Sequence, residues 1–521
     1  MDQERLNFHP NQLLIGPSLY VPGPALFLVD PRRMEIERSM SLLQLMDGEG
    51  LMPSAEEEIK RRNAIDKLSK IVMEWSKRVA YQRRLPGSSI RDVSAIVLIY
   101  GSYGLGVHND ESDIDALCVG PCFATMAEDF FIVLRNMLAS RPEVSDILCV
   151  KDARIPLMRF KFDGIPFDLP YAKLNAISIP ENKDLLNPSL LTNIDEISWR
   201  SLSGVLANSR IIQLVPNLGV YQSLLRCIKF WARRRGIDGN ALGFLGGIHW
   251  AVLAALICQR QPNVHLGALV SIFFHTFAFW PWPTPVILED MPQNNISIQT
   301  SLMPIQLPSS PNDYCYSNIT RSTFNRIRKE FLHGHTLTKD FLRPDFDWKL
   351  LFEPFSYAKN YSRFLKIRLS SPNKDELGDW VGWVKSRILS LILMLEELQG
   401  FCDPNPTEYI DTDLLEPNIV LFWGLNPARS NNIDADSIKE AFSKNIFTGY
   451  EGPTGSIELK VAKASEFPKT KTSSGSKGTR ACWRIVDGNQ QRTALYSKHI
   501  PGYFVGYLVH DGNAVFSNVA S

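Results

Sequence analysis

Tyr100-Gly-Ser-Tyr-Gly-Leu-Gly-Val-His-Asn-Asp-Glu-Ser-Asp-Ile-Asp115 is the stretch that decides the fold. It follows a short apolar run from Ala95 to Ile99, which predicts a buried strand ending at Gly101. Asp113 to Val119 reads as a second strand. Side chains alternate faces along a strand, so Asp113 and Asp115 share one side while Ile114 turns into the core. Two carboxylates so placed repel each other unless a cation sits between them. Hard oxygen ligands at this spacing suit Mg²⁺, with Mn²⁺ as a substitute, and such an ion also takes phosphate oxygens and water. The Gly101-Ser102 turn exposes backbone N–H groups and a hydroxyl, which suits a phosphate.

Working outward, Phe123 to Leu138 reads as a crossover helix and Asp146 to Val150 as a third strand. Pro156 to Phe162 and Ile165 to Tyr171 flank Asp163-Gly164, a two-residue hairpin signal. A third carboxylate on a neighbouring strand would complete a two-metal site for in-line phosphoryl displacement. Asp163 is explained by the turn it makes. Asp168 lies inside an apolar strand, where an unpaired charge is costly, and is the better candidate. Strands mixed with a helix over this span make a compact α/β unit.

Upstream, Asp30 to Arg84 is helical in pattern, with Ser54 and Glu57 spaced as a capping box. Downstream, Ile194 to Trp280 and Thr320 to Leu332 are helical. After Pro354 a strand (Tyr361 to Leu369), a helix (Asp375 to Leu398) and a strand (Val420 to Leu425) follow. Trp483 to Val486, Ala494 to Tyr496 and Tyr503 to Val509 are shorter candidate strands, beyond a basic, apolar-poor loop at 464–480.

The 521 residues allow two to four domains, and a formal net charge of +1 advertises no polyanionic partner, so any basic surface is local. Eight cysteines without a CxxC pair read as reduced thiols. The N-terminus is polar and acidic, unlike a secretory signal. His249 to Cys258 and Leu266 to Trp280 are too short or interrupted to span a bilayer, so no membrane role is expected.

The strand, Gly-Ser turn, paired aspartates and later Asp168 together resemble the nucleotidyltransferase superfamily related to DNA polymerase beta. Longer motifs narrow the resemblance to eukaryotic, plant-like, template-independent poly(A) polymerases: GSYGLGVH (101–108), SDIDALCVGP (112–121), FDGIPFDLPYAKL (162–174), LLRCIKFWARRRGI (224–237), GFLGGIHWAVL (243–253), WPWPTPVIL (280–288) and CDPNPTEYID (402–411). It covers residues 15 to 410 well and weakens beyond.

The resemblance implies an α/β and α+β multidomain chain. Its parts are an extended arm (1–25), N-terminal helices packing on the central domain (26–85), a nucleotidyltransferase domain (86–190), a central helical domain (191–350) and an RRM-like RNA-binding domain (351–521). The implied reaction is attack of an RNA 3′-hydroxyl on the α-phosphate of ATP with release of pyrophosphate. Asp113, Asp115 and Asp168 would be catalytic metal ligands. ATP would meet Tyr100, Gly101, Ser102, Asn109, Asp113, Ile114, Asp115, Asp168, Lys229, Asp238, Gly247 and Ile248. ATP and an RNA 3′ end are the implied partners, the cleavage and polyadenylation machinery a further one, and a monomer the implied state. With no dense Lys/Arg cluster for import, nucleus and cytoplasm are both allowed.

Some positions depart from the family pattern. Gly104 stands where the family usually has Arg, Ser203 where it has Asn, Leu206 where it has Arg, and Asp238 where it has Tyr. Losing that aromatic removes a contact worth about 1–3 kcal/mol per base. Two alternatives follow: a terminal nucleotidyltransferase with altered nucleotide preference, or a catalytically weak RNA-binding scaffold. His108 is expected to pack the turn, and Trp380 and Trp383 to be helix core. Lys366, Arg368, Lys463, Lys469, Lys471, Lys477 and Arg480 would track an RNA backbone or form a solvated surface.

Overall fold

A computed structural model describes residues 31–179, 191–289, 301–310, 312–427, 435–450, 452, 455–468 and 483–486. The arm at 1–25, most of the basic loop, and the strands expected at Ala494–Tyr496 and Tyr503–Val509 lie outside the described residues.

The first part comprises α1 (Pro31–Gly48), α2 (Ala55–Gln82), α3 (Gly87–Asp92), β1 (Ile96–Tyr100), α4 (Gly101–Gly104) and β2 (Ile114–Gly120). A helical segment, Met126–Leu134, then runs into α5 (Arg135–Ala139), followed by β3 (Val144–Val150), β4 (Leu157–Phe162), β5 (Ile165–Lys173) and α6 (Glu196–Leu214). The strands form one sheet in the order β1-β2-β5-β4-β3. Only β2 and β5 run parallel; the other pairs are antiparallel. Asp163 and Gly164 both take positive φ, as the hairpin signal requires.

Alternation along the strands makes three layers. Ile114, Ala116, Phe167 and Leu169 meet Leu68, Ile71, Val72 and Trp75 of α2 on one face. Leu98, Tyr100, Leu117 and Val119 meet Leu202, Val205 and Leu206 of α6 on the other. Of the two N-terminal helices, α1 packs on the central helices, whereas α2 packs on this sheet instead. Ser54 caps α2 by accepting from the Glu57 N–H at 3.2 Å. Its own N–H donates to Asp110 Oδ1 rather than to Glu57, so half of the expected capping box forms and α2 is tied to the loop before β2.

The central part holds α7 (Leu218–Arg234), α8 (Gly247–Arg260), α9 (Leu266–Ala278) and α10 (Arg321–Thr338). They close around Trp231, Trp250, Phe274 and Phe331, all fully buried. α6 contributes Ala207 and Ile211 to this core while its earlier turns cover the sheet, so the two parts share a helix.

Beyond α11 (Tyr357–Asn360), the last part runs β6 (Arg363–Ser370), α12 (Lys374–Ser386), α13 (Ile388–Gln399), β7 (Gly400–Asp403), β8 (Glu408–Asp411), β9 (Asn418–Pro427), α14 (Ala435–Phe447), β10 (Ser456–Lys463) and β11 (Trp483–Ile485). Its sheet has the order β10-β6-β9-β8-β11, with β7 added on β9. The helix expected over 375–398 is two helices meeting at Arg387, and Trp380 and Trp383 are core, as expected. Helices cover one face of the sheet. On the other, Phe364, Tyr409 and Phe422 lie beneath Phe467 and Trp483.

Buried charges join the last two parts. Arg326 of α10 donates to Asp403 of β7 at 3.0 Å and pairs with Glu330, which also takes Arg235 at 2.6 Å. Tyr361 completes the joint by donating to Asp403 at 2.8 Å.

Candidate active site

The sheet order sets the site. Asp115 lies opposite Tyr100 on one side and opposite Asp168 on the other, so both carboxylates leave the same face on adjacent strands. Asp113 precedes β2 by one residue and, like Asp115, is partly exposed, with Ile114 fully buried between them. The expected alternation therefore holds, although the strand begins one residue late.

Gly101 has φ +64°, and a β-carbon there would fall 1.8 Å from Asp115 Oδ2. Glycine is required both by the left-handed backbone and by the carboxylate beside it. The loop after it is held by other elements. Asn208 of α6 donates to Gly101 O at 3.0 Å, Gln222 of α7 to Leu105 O at 3.0 Å, and Arg226 to Gly106 O. Glu58 of α2 accepts from Tyr103 Oη at 3.1 Å and contacts His108 Nε2 at 3.0 Å. Burial pushes the Glu58 carboxyl up, but Arg62, Tyr103 and His108 outweigh it and hold it below the usual range. His108 is buried and its pKa depressed by desolvation, in keeping with a packing role.

Lys229 is oriented by α7, whose Leu225, Ile228 and Trp231 are buried in the helical core. Burial, then the like charge of Arg233, push its ammonium down to about 8, while Asp238, Asp113 and Asp115 pull it back up. Those carboxylates are its electrostatic neighbours, which brings Lys229 to the site. Asp238 is turned onto the indole of Trp250, whose Nε1–H donates to Oδ1 at 3.0 Å, and Oδ2 lies 3.9 Å from Arg233.

The remaining candidates divide. Ser102 is half-buried in the first turn after Gly101. Gly247 is exposed in the first turn of α8, and a β-carbon there would meet nothing within 4 Å, so tight helix packing is not why glycine stands there. Tyr100 and Ile248 are not open to a nucleotide through their side chains: the ring lies under α6 and the isoleucine in the helical core, 2% and 5% exposed. Asn109 accepts from Ser112 Oγ at 2.7 Å and serves the loop's own turn. Of the family departures, Leu206 is core, and Ser203 is buried and bonded to the Arg200 carbonyl. A β-carbon on Gly104 would press on Asn208 at 3.0 Å.

Sequence reading missed Arg159. It sits directly opposite Asp168 on β4 and grips both its oxygens, Nε to Oδ1 at 2.9 Å and Nη2 to Oδ2 at 3.2 Å. The signal was present, because a two-residue turn at 163–164 pairs Phe162 with Ile165 and hence Arg159 with Asp168. Glu58, Asn208, Gln222 and Arg226 carried no comparable signal.

Three carboxylates on one face are the donor set a hard divalent cation takes, and the space left by Gly101 admits the Asp115 carboxylate. With Asp168 held by Arg159 the set is not drawn together, and among the described residues no three His, Cys, Asp or Glu side chains converge to hold a metal. The fit is therefore one of donor chemistry.

A mixed five-stranded sheet, a glycine turn against paired carboxylates, and a lysine beside them define a nucleotidyltransferase. The descriptions "Poly(A) polymerase nucleotidyltransferase domain" and "Poly(A) polymerase central domain" match residues 22–215 and 220–354. The chain belongs to the poly(A) polymerase family. It is 55% identical over 477 residues to nuclear poly(A) polymerase 3 of Arabidopsis thaliana, covering 90% of this chain and 94% of that one. Nuclear poly(A) polymerase 1 of the same plant is 38% identical, covering 73% of this chain and 55% of that one. A poly(A) polymerase of Dictyostelium discoideum is also 38% identical, covering 80% and 54%. This chain thus spans nearly all of the first relative and about half of the other two. Among the described residues no helix is long and apolar enough to cross a membrane.

Proposed function

We propose that the protein adds AMP from ATP to RNA 3′ ends without a template, as a polynucleotide adenylyltransferase using a divalent metal. The observation that carries the reading is the placement of Asp115 beside Asp168 on parallel strands, against the Gly101 turn and within the electrostatic reach of Lys229. Asp113, Asp115 and Asp168 would hold the metal, Mg²⁺ in our reading. When bound, it would neutralise phosphate charge and lower the pKa of the RNA 3′-hydroxyl. The chain's own groups position the substrates. Backbone N–H groups at Gly101 and Ser102 take phosphate oxygens, Lys229 adds a cation to the triphosphate, and Gly247 admits the nucleotide against the start of α8.

Two features support an RRM-like RNA-binding role for the last part. Its βαββαβ core has the first and third strands in the centre of the sheet, and Lys366 stands 5.0 Å over the ring of Trp483. That face is partly closed, since Phe364 and Phe422 are fully buried, so RNA would meet Lys366, Arg368 and Trp483 at its rim. Nuclear residence, a monomeric state and work alongside the cleavage and polyadenylation machinery complete the proposal, resting on the family and the relatives' names.

A second reading, altered nucleotide preference, is favoured by one observation: Asp238 engages Trp250 and Arg233 where the family places a tyrosine. Incubating the protein with a labelled short RNA, Mg²⁺ and each nucleoside triphosphate separately tests both. Ladders with ATP support adenylyl transfer; ladders preferring UTP sink it in favour of the second reading. RNA binding without extension would point to a scaffold.

A further inference from the structure

We infer that Arg159 is a positioning residue, an internal latch that holds the third metal-binding carboxylate until a divalent ion displaces it. The inference rests on the metal-site reading above. Arg159, Asp168 and Asp115 stand in a row on three neighbouring strands, each opposite the next on one face. Neighbouring strands are about 4.8 Å apart, so the arginine is the cation nearest to the carboxylate row from within the sheet. Its fork takes both Asp168 oxygens, a bidentate geometry with more directionality than a lone ammonium. Both side chains are largely buried, at 13% and 15% exposed, so the pair is poorly screened by water.

A site of three carboxylates without a cation carries uncompensated like charge on one face. Arg159 offsets part of it. The same contact ties the Asp168 carboxylate to β4, and no three such side chains converge among the described residues. A divalent ion that ligates Asp168 therefore competes with the fork for its oxygens. The carboxylate retains enough lone-pair sites to keep one hydrogen bond to Arg159 while ligating. The latch thus opposes metal binding and stabilises the metal-free fold.

The test is Mn²⁺ binding to the full chain without nucleotide, read by electron paramagnetic resonance, together with thermal unfolding in chelator. R159Q should bind Mn²⁺ about tenfold more tightly, on the scale of one charge-assisted pair, and melt lower in chelator but not with Mn²⁺. R159K keeps the charge without the fork and should also bind more tightly than wild type. Unchanged or weaker binding by R159Q overturns the latch, and tightening in R159Q alone overturns the role of the fork. D168N separates the two levels of the argument: undiminished Mn²⁺ binding there overturns the metal assignment itself. Weakened binding by D168N with no change in either Arg159 variant overturns the latch alone.

Discussion

The carboxylate of Asp115 occupies the space that a side chain on Gly101 would need: a β-carbon there would lie 1.8 Å from Oδ2. Turn and proposed metal ligand are thus parts of one steric unit. G101A should lose activity on the order of a hundredfold, the scale of an ångström-level misplacement of a reacting group. It should also cost about 1–2 kcal/mol from the left-handed backbone alone. Steady-state extension and chemical denaturation measure the two losses, and near-wild-type activity would refute the steric coupling.

Gly247 behaves oppositely. Its α-carbon faces open space in the first turn of a helix. G247A should leave unfolding unchanged or add about 0.4–1 kcal/mol of stability. The KM for ATP should rise roughly tenfold if the nucleotide approaches there as proposed, since a methyl group would intrude on it. A clear drop in melting temperature with unchanged KM would mean that the glycine serves packing.

Lys229 gives a pH signature. Burial and Arg233 depress its ammonium to about 8, so in the free enzyme the charge is present below that pH and is lost as pH rises through it. kcat/KM for ATP, which reports free-enzyme ionisations, should fall above about pH 8. K229R should remove that limb, because a guanidinium stays charged. Superimposable profiles would remove Lys229 from the triphosphate site.

The joint between the helical and last parts predicts a stability effect. R326M would leave buried Asp403 without its cation and Glu330 with Arg235 alone, and should destabilise the chain by about 3–5 kcal/mol in urea unfolding. A change under 1 kcal/mol would show that the network carries no net weight.

Much of the catalytic part was legible because its signals are local. The run into Gly101, the alternation around Ile114 and the turn at Asp163-Gly164 fix their strands through short-range geometry. Lys229 could be set off the buried face of its helix by period alone. The contacts that hold the site come from a distance, and no local pattern encodes them. Glu58 reaches His108 from fifty residues away, and Asn208 reaches Gly101 from more than a hundred. Motif position puts Tyr100 and Ile248 at the nucleotide, whereas packing against α6 and within the helical core buries both side chains. In the last part, β7 and β8 are four residues each, too short for a period to show, and Arg387 breaks an apolar pattern that otherwise continues.

The central claim is that Asp113, Asp115 and Asp168 perform adenylyl transfer as a unit. Its most direct test is single-turnover extension of a labelled RNA with ATP and Mg²⁺, comparing wild type with D115N after circular dichroism shows both folded. We predict extension by the wild type and a loss of at least about a thousandfold in the variant, the scale on which removing a key electrostatic group acts. Comparable extension by folded D115N would contradict the account.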